Sequence, residues 1–173
     1  FRLNCSGWVP NCNRLPHYSP TPVQPLSKMK ILIADDHAML RKGLIQILAD
    51  EYPGAKFGET ATTPATLAGL AFERWDALIL DIFLPGRTGL EVLHEVRRQQ
   101  PALPVLVVSS APEEQLAVRV LKAGASGYLN KQAAPEELVR AISRLLAGGR
   151  YVSMAVAEQL AANIGQAGRP GSD

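Results

Sequence analysis

Cysteine is absent from the chain after residue 12: both cysteines, Cys5 and Cys12, lie in the leading segment. No disulfide framework and no cysteine-based metal site can support the rest of the chain, and a reducing cytoplasm is the expected setting. Long apolar runs are missing too. The longest are of strand length, well short of the roughly 18 to 20 residues that cross a bilayer as a helix, so no membrane partner is expected. The opening stretch, "FRLNCSGWVPNCNRLPHYSPTPVQPLSK", has no apolar centre and does not read as a signal peptide. Acids are absent from residues 1–28, which carry Arg2, Arg14 and Lys28. With those three charges set aside from the formal net charge of +2, residues 29–173 stand at −1. The body of the chain therefore offers no basic footprint for nucleic acid.

What is present is apolar residue in quantity, 47% of 173, enough to bury the core of one domain. Three regions are expected. Residues 1–28, rich in Pro, Asn and Ser, read as a disordered extension or one foreign to the natural chain, with Met29 as the natural start. Their Cys-x6-Cys pair with one His is a poor metal signature. Residues 29–149 form the domain, and residues 150–173 a linker with a partial helix and a tail.

From residue 30 short β-branched runs alternate with amphipathic stretches of helical period, the pattern of repeated βα units and a parallel sheet. Strands are expected at 30–34, 55–59, 77–80, 105–108 and 127–129. The first helix, 38–49, carries Leu40, Leu44, Ile47 and Leu48 on one face. Thr63 before Pro64 reads as the N-cap of the second. The third starts at Thr88 or Gly89 and runs to Gln100. Pro112 with Glu113 and Glu114 opens the fourth, and Pro135 with Glu136 and Glu137 the fifth, which ends at Gly148-Gly149 with Leu138, Ile142 and Leu145 inward. One more short helix is expected from Ser153, with Met154, Val156, Ala157 and Leu160 as its apolar positions.

Three apolar strands end on acid or hydroxyl, in "KILIADD", "DALILD" and "VLVVSS", and "GYLNK" ends on lysine. Right-handed crossovers that wind both ways put strand 3 beside strand 1 and gather Asp35, Asp36, Asp81, Ser109 and Lys131 at one sheet edge, beside the switch point. Three carboxylates at close range repel one another unless a cation intervenes. Oxygen donors with no His or Cys nearby favour Mg²⁺. With a phosphate present, Lys131 would neutralise its charge and Ser109 would donate to it, leaving Asp81 as the candidate nucleophile. Each residue has a plainer role in isolation: the acidic pair as a helix cap, Asp81 as a turn former, Ser109 and Lys131 as solvated loop residues. Their convergence on one edge favours the chemical reading.

On these motifs the chain resembles the receiver domain of bacterial two-component response regulators, from about Met29 to Gly149. "DDH", "LPGRTGLE" and "GASGYL" are most similar to the LuxR-type regulators, the NarL/FixJ group. The resemblance implies a flavodoxin-like, doubly wound five-stranded parallel sheet of order 2-1-3-4-5 with helices on both faces. It further implies that Asp81 accepts a phosphoryl group from a sensor histidine kinase or a phosphotransfer protein. Mg²⁺ would be held by Asp36 and Asp81 directly, by Asp35 partly through water, and by the main-chain carbonyl of Phe83. Lys131 would contact the phosphoryl group, Ser109 would move towards it, and Tyr128 would be the switch aromatic, turning inward as Ser109 leaves. The plainer reading of Tyr128 is a half-buried strand tyrosine.

The resemblance implies a phosphorylation switch rather than an enzyme, catalysing only its own phosphoryl transfer and a slow dephosphorylation. Neither Phe83 nor Ala111, the variable positions near the site, offers an amide or acid to guide water. Gln132 follows the lysine where many receivers have proline, so a cis Lys131-Gln132 bond is in doubt. The LuxR-type group carries a helix-turn-helix domain after its linker, and "GGRYVSMAVAEQLA" is similar to that linker. DNA contact is thus expected only through a C-terminal part that the chain lacks, by truncation, or else the chain acts as a stand-alone receiver in a phosphorelay. A haloacid-dehalogenase-like phosphatase would need an acid two positions after Asp81, where Phe83 stands. Val139 and Leu146 on the last helix are possible homodimer contacts or additional core.

Overall fold

The structure, a computed structural model, describes residues 29–86, 88–154 and 156–158, apart from the side chains of residues 114 and 115. The expectations for residues 1–28, for Leu160 and for the tail lie outside the described residues.

Five strands form one parallel sheet: β1 (Lys30–Ala34), β2 (Lys56–Thr60), β3 (Ala77–Asp81), β4 (Val105–Ser109) and β5 (Gly127–Asn130). Their order is β2-β1-β3-β4-β5. Successive side chains of a strand point to opposite faces. Ile31 and Ile79 therefore join Leu44 and Leu48 of α1 (Ala38–Glu51) and Ile142 of α5 (Pro135–Leu146). Leu32 and Leu78 join the other layer, built by α2 (Thr63–Phe72), α3 (Gly89–Gln99) and α4 (Glu113–Lys122). Two buried layers explain why β3 and β4 are apolar at every position before their final polar residue, as doubly covered parallel strands are.

Register places the strand ends. Ala34 pairs with Leu80, so Asp35 is level with Asp81, and Ser109 pairs with Asn130 just before Lys131. Close approach of α3 to β3 depends on Gly89: a Cβ there would lie 2.6 Å from Ile82 Cα and 2.7 Å from the Asp81 carbonyl oxygen. The Gly89 N–H donates to the Ile82 carbonyl at 2.9 Å and closes the loop that displays Phe83.

Several boundaries differ from expectation. The second strand lies one residue later, at Lys56–Thr60. The N-cap of α2 is Thr62, not Thr63: Thr62 Oγ1 accepts the Ala65 N–H at 3.3 Å, while Thr63 is already helical, fully buried, and donates its N–H to the Pro85 carbonyl. Helix α1 continues two residues past Ala49, and Gln100 is the C-cap of α3 rather than its last residue. Among the described residues no peptide bond is cis. Of the two α5 flank residues, Leu146 packs against the core, which is its plainer role.

The chain beyond α5 does more than expected of a linker. Tyr151 forms a parallel bridge to Gly127, donating its N–H to the Ser126 carbonyl at 3.0 Å and accepting the Tyr128 N–H at 3.2 Å. A helical turn follows, with Ser153 Oγ accepting the Val156 N–H. Val156 is 1% exposed in the layer that holds Tyr128, whereas Met154 faces solvent. The expected short helix thus begins where predicted but buries Val156 rather than Met154.

Candidate functional site

Asp35 ends β1 buried, at 2% exposure, and both its oxygens are engaged. Oδ1 accepts the His37 N–H at 2.7 Å, a local turn that starts α1, and Oδ2 lies 2.6 Å from Lys131 Nζ. Its carbonyl accepts from Arg41, whose guanidinium also pairs with Glu59 at 3.1 Å, so the first turn of α1 is tied to the strand end. Asp36 is the outward member of the pair. Asp81, also 2% exposed, accepts the Phe83 N–H on Oδ1 at 3.0 Å and meets Lys131 Nζ with Oδ2 at 2.6 Å.

Lys131 therefore bridges two buried carboxylates from two different strands. Its side chain is 11% exposed. Burial on its own would depress the ammonium, but hydrogen bonds and charges from Asp35 and Asp81 outweigh it and hold Lys131 above the ordinary lysine value. One ammonium against three carboxylates leaves two negative charges uncompensated, the charge a divalent ion carries. Carboxylate oxygens of Asp35, Asp36 and Asp81 and a ring nitrogen of His37 all lie within 4.8 Å of one another, a set that could hold a metal ion.

The structure thus brings Asp35, Asp36, Asp81 and Lys131 together as expected, and corrects one expectation. A histidine does stand beside the carboxylates: His37 Nδ1 is 2.7 Å from Asp36 Oδ1 and 3.2 Å from Asp35 Oδ1. The letters "DDH" were legible, but which way the ring turns depends on the turn that Asp35 makes with the His37 backbone.

Ser109 and Tyr128 meet at Ala111. Ser109 is fully buried and its Oγ accepts the Ala111 N–H at 3.1 Å. Tyr128, also fully buried and not half-buried, donates its hydroxyl to the Ala111 carbonyl at 2.8 Å. Asn130 reaches the same carbonyl at 3.4 Å. The backbone of Ala111 is thus held from both ends, a role with no side-chain signature in the sequence. Tyr128 already lies inside the fold in this arrangement, without any turn inward. The Ser109 carbonyl accepts the Lys131 N–H at 2.9 Å, which links the hydroxyl strand to the lysine strand. Phe83 is exposed beside Asp81.

Comparison with known proteins agrees with this geometry. The family model described as the response regulator receiver domain matches residues 31–143. The chain is 38% identical over 134 residues to the response regulator GacA of Pseudomonas aeruginosa, covering 77% of this chain and 62% of GacA. To the response regulator UvrY of Escherichia coli it is 32% identical over 133 residues, covering 77% and 61%. It therefore spans less than two thirds of the length of these curated relatives. The crystal structure of a LuxR-family two-component response regulator from Aurantimonas superimposes with a TM-score of 0.71 at 32% identity, covering 79% of this chain and 98% of that one. Among the described residues no helix is long and apolar enough to cross a membrane. With its 2-1-3-4-5 sheet, its acidic cluster and these relatives, the chain belongs to the response regulator receiver domain family of two-component systems.

Proposed function

We propose that Asp81 is the phosphoacceptor, taking a phosphoryl group from the phosphohistidine of a sensor histidine kinase or phosphotransfer protein. A carboxylate oxygen of Asp81 attacks phosphorus, the P–N bond breaks, and the departing imidazole keeps the electron pair and takes up a proton, leaving an acyl phosphate. The observation that carries this reading is the Lys131 ammonium 2.6 Å from both Asp35 and Asp81 at the ends of two adjacent strands. A phosphoryl group on Asp81 would meet that ammonium at once. Mg²⁺, held by Asp36 and Asp81, by Asp35 partly through water and by the Phe83 carbonyl, would neutralise charge on the transferring oxygens. Asp35 and Asp81 keep their orientation through the His37 and Phe83 N–H groups.

The same reading assigns the switch. A phosphoryl oxygen offers Ser109 Oγ–H a strong acceptor, and a moving Ser109 would release the Ala111 N–H and disturb the Ala111 carbonyl that Tyr128 holds. Phosphorylation then biases a two-state surface at α4, β5 and α5. That surface would control a transcriptional output, with phosphorylation-dependent homodimerisation as one route. The chemistry is confined to residues 29–149, and to its own transfer and slow loss of phosphate, in the cytoplasm.

Intact-mass measurement after treatment with acetyl phosphate and Mg²⁺ tests the acceptor: the unaltered chain gains one phosphoryl mass and Asp81→Asn gains none. Equal uptake by both would move the acceptor elsewhere. Because Phe83 and Ala111 present no group to orient water, the phosphoryl group is expected to outlast many minutes; a lifetime of seconds would contradict that part.

A further inference from the structure

We propose that His37 donates Nδ1 to the divalent ion and shifts the site's preference from Mg²⁺ towards first-row transition ions. The inference rests on the metal-binding reading above and adds a nitrogen donor to an otherwise all-oxygen set. An octahedral ion with bonds of roughly 2.1 Å holds neighbouring donors about 3.0 Å apart and opposite ones about 4.2 Å apart. His37 Nδ1 lies 2.7 Å from Asp36 Oδ1 and 3.2 Å from Asp35 Oδ1, on either side of the neighbouring-donor distance. All four candidate donor atoms lie within 4.8 Å, wider than the roughly 4.2 Å one such ion spans, so ion binding would draw them slightly together.

Three further features make the imidazole available. Lys131 takes Oδ2 of Asp35 and Oδ2 of Asp81, whereas His37 is beside Oδ1 of Asp35, so the ammonium and the imidazole do not compete for the same oxygens. The backbone of His37 is already fixed. Its N–H is bound to Asp35 and its carbonyl accepts the Arg41 N–H at 3.0 Å as the N-cap of α1, so only the side-chain torsions need ordering. The ring is 67% exposed, which lets Nε2–H remain hydrated while Nδ1 turns its lone pair to the ion. Imidazole nitrogen suits the later first-row ions such as Co²⁺, Ni²⁺ and Zn²⁺ better than Mg²⁺, which prefers oxygen and retains its waters. The competing arrangement is an ordinary hydrogen bond from Nδ1–H to Asp36 that persists when the ion binds.

Electron spin-echo spectroscopy of the chain loaded with Mn²⁺ separates the two. Direct coordination gives ¹⁴N modulation in the unaltered chain that disappears in His37→Gln. In competition titrations His37→Gln should lose Co²⁺ affinity by about tenfold or more while its Mg²⁺ affinity changes by less than about twofold. An oxygen-only environment in the unaltered chain, modulation that survives in His37→Gln, or equal Co²⁺ affinities would overturn the role of His37. If the unaltered chain bound no Mn²⁺ at all, the metal reading itself would fall, whereas Mn²⁺ bound without ¹⁴N modulation, and weakened by Asp36→Asn, would remove the nitrogen donor alone.

Discussion

Replacing Lys131 with Met removes an ammonium that touches two buried carboxylates while keeping the length of its apolar stem. Asp35 and Asp81, each 2% exposed, would then face each other and Asp36 without compensation. Breaking a buried ion pair by removing one partner costs about 3 to 5 kcal/mol. The lower end applies here, because Asp35 keeps the His37 N–H, Asp81 keeps the Phe83 N–H, and Asp36 opens the cluster to water. A loss of about 3 kcal/mol lowers the unfolding midpoint of a domain this size by roughly 10 °C. Thermal denaturation by circular dichroism without metal reads this directly. Adding Mg²⁺ should recover more stability in Lys131→Met than in the unaltered chain, since the ion then meets three carboxylates with no resident cation. The pH dependence has a definite sign. Lys131 is held above its ordinary value of 10.5, so its contribution is complete below about that pH and fades only as pH rises through the higher folded value. The gap between the two proteins should therefore be constant from pH 7 to pH 9. A loss below about 1 kcal/mol that Mg²⁺ does not alter would refute the claim that Lys131 compensates these carboxylates.

Two other substitutions probe the far edge of β5. In Gly127→Ala the new Cβ would sit 2.8 Å from the Tyr151 carbonyl oxygen and 3.1 Å from Leu106 Cδ1, so the strap at Tyr151 must shift; about 2 kcal/mol of stability and the slow exchange of the Tyr128 and Tyr151 amides should be lost, as hydrogen-exchange mass spectrometry would show. Tyr128→Phe removes the hydroxyl that holds the Ala111 carbonyl and should cost about 1 kcal/mol in urea denaturation while leaving phosphoryl uptake from acetyl phosphate intact; a variant unable to take up phosphate would place Tyr128 in the chemistry rather than in the response to it.

The sheet and the gathering of polar strand ends at one edge were legible because both follow from periodicity. Apolar runs of strand length that end on Asp35, Asp81, Ser109 and Lys131 can belong only to one edge once the strands are parallel, and the register of β1 with β3 then makes two of those ends level. What escaped lies below the resolution of pattern. With Thr62 and Thr63 both before Pro64, composition cannot say which hydroxyl caps the helix; the decision falls to the loop after β3, whose Pro85 carbonyl takes the Thr63 N–H. The place of His37 depends on a turn made by its neighbour's carboxylate, and that of Ala111 on its backbone alone.

Tyr151 is the fullest case of the same limit. A single-residue bridge has no period, yet it occupies the edge of β5 that would otherwise be open, a protection edge strands commonly require. Its consequence reaches the site. The Lys131 N–H is held by Ser109 just past one end of β5, and the Tyr128 N–H is held by Tyr151 along its outer edge. Strand β5 thus leads directly into the lysine that meets Asp81 and carries the contact that seats the chain beyond α5. A rearrangement that shifts β5 by a fraction of an ångström must be accommodated in the close Gly127–Tyr151 approach, where there is no room for a methyl group.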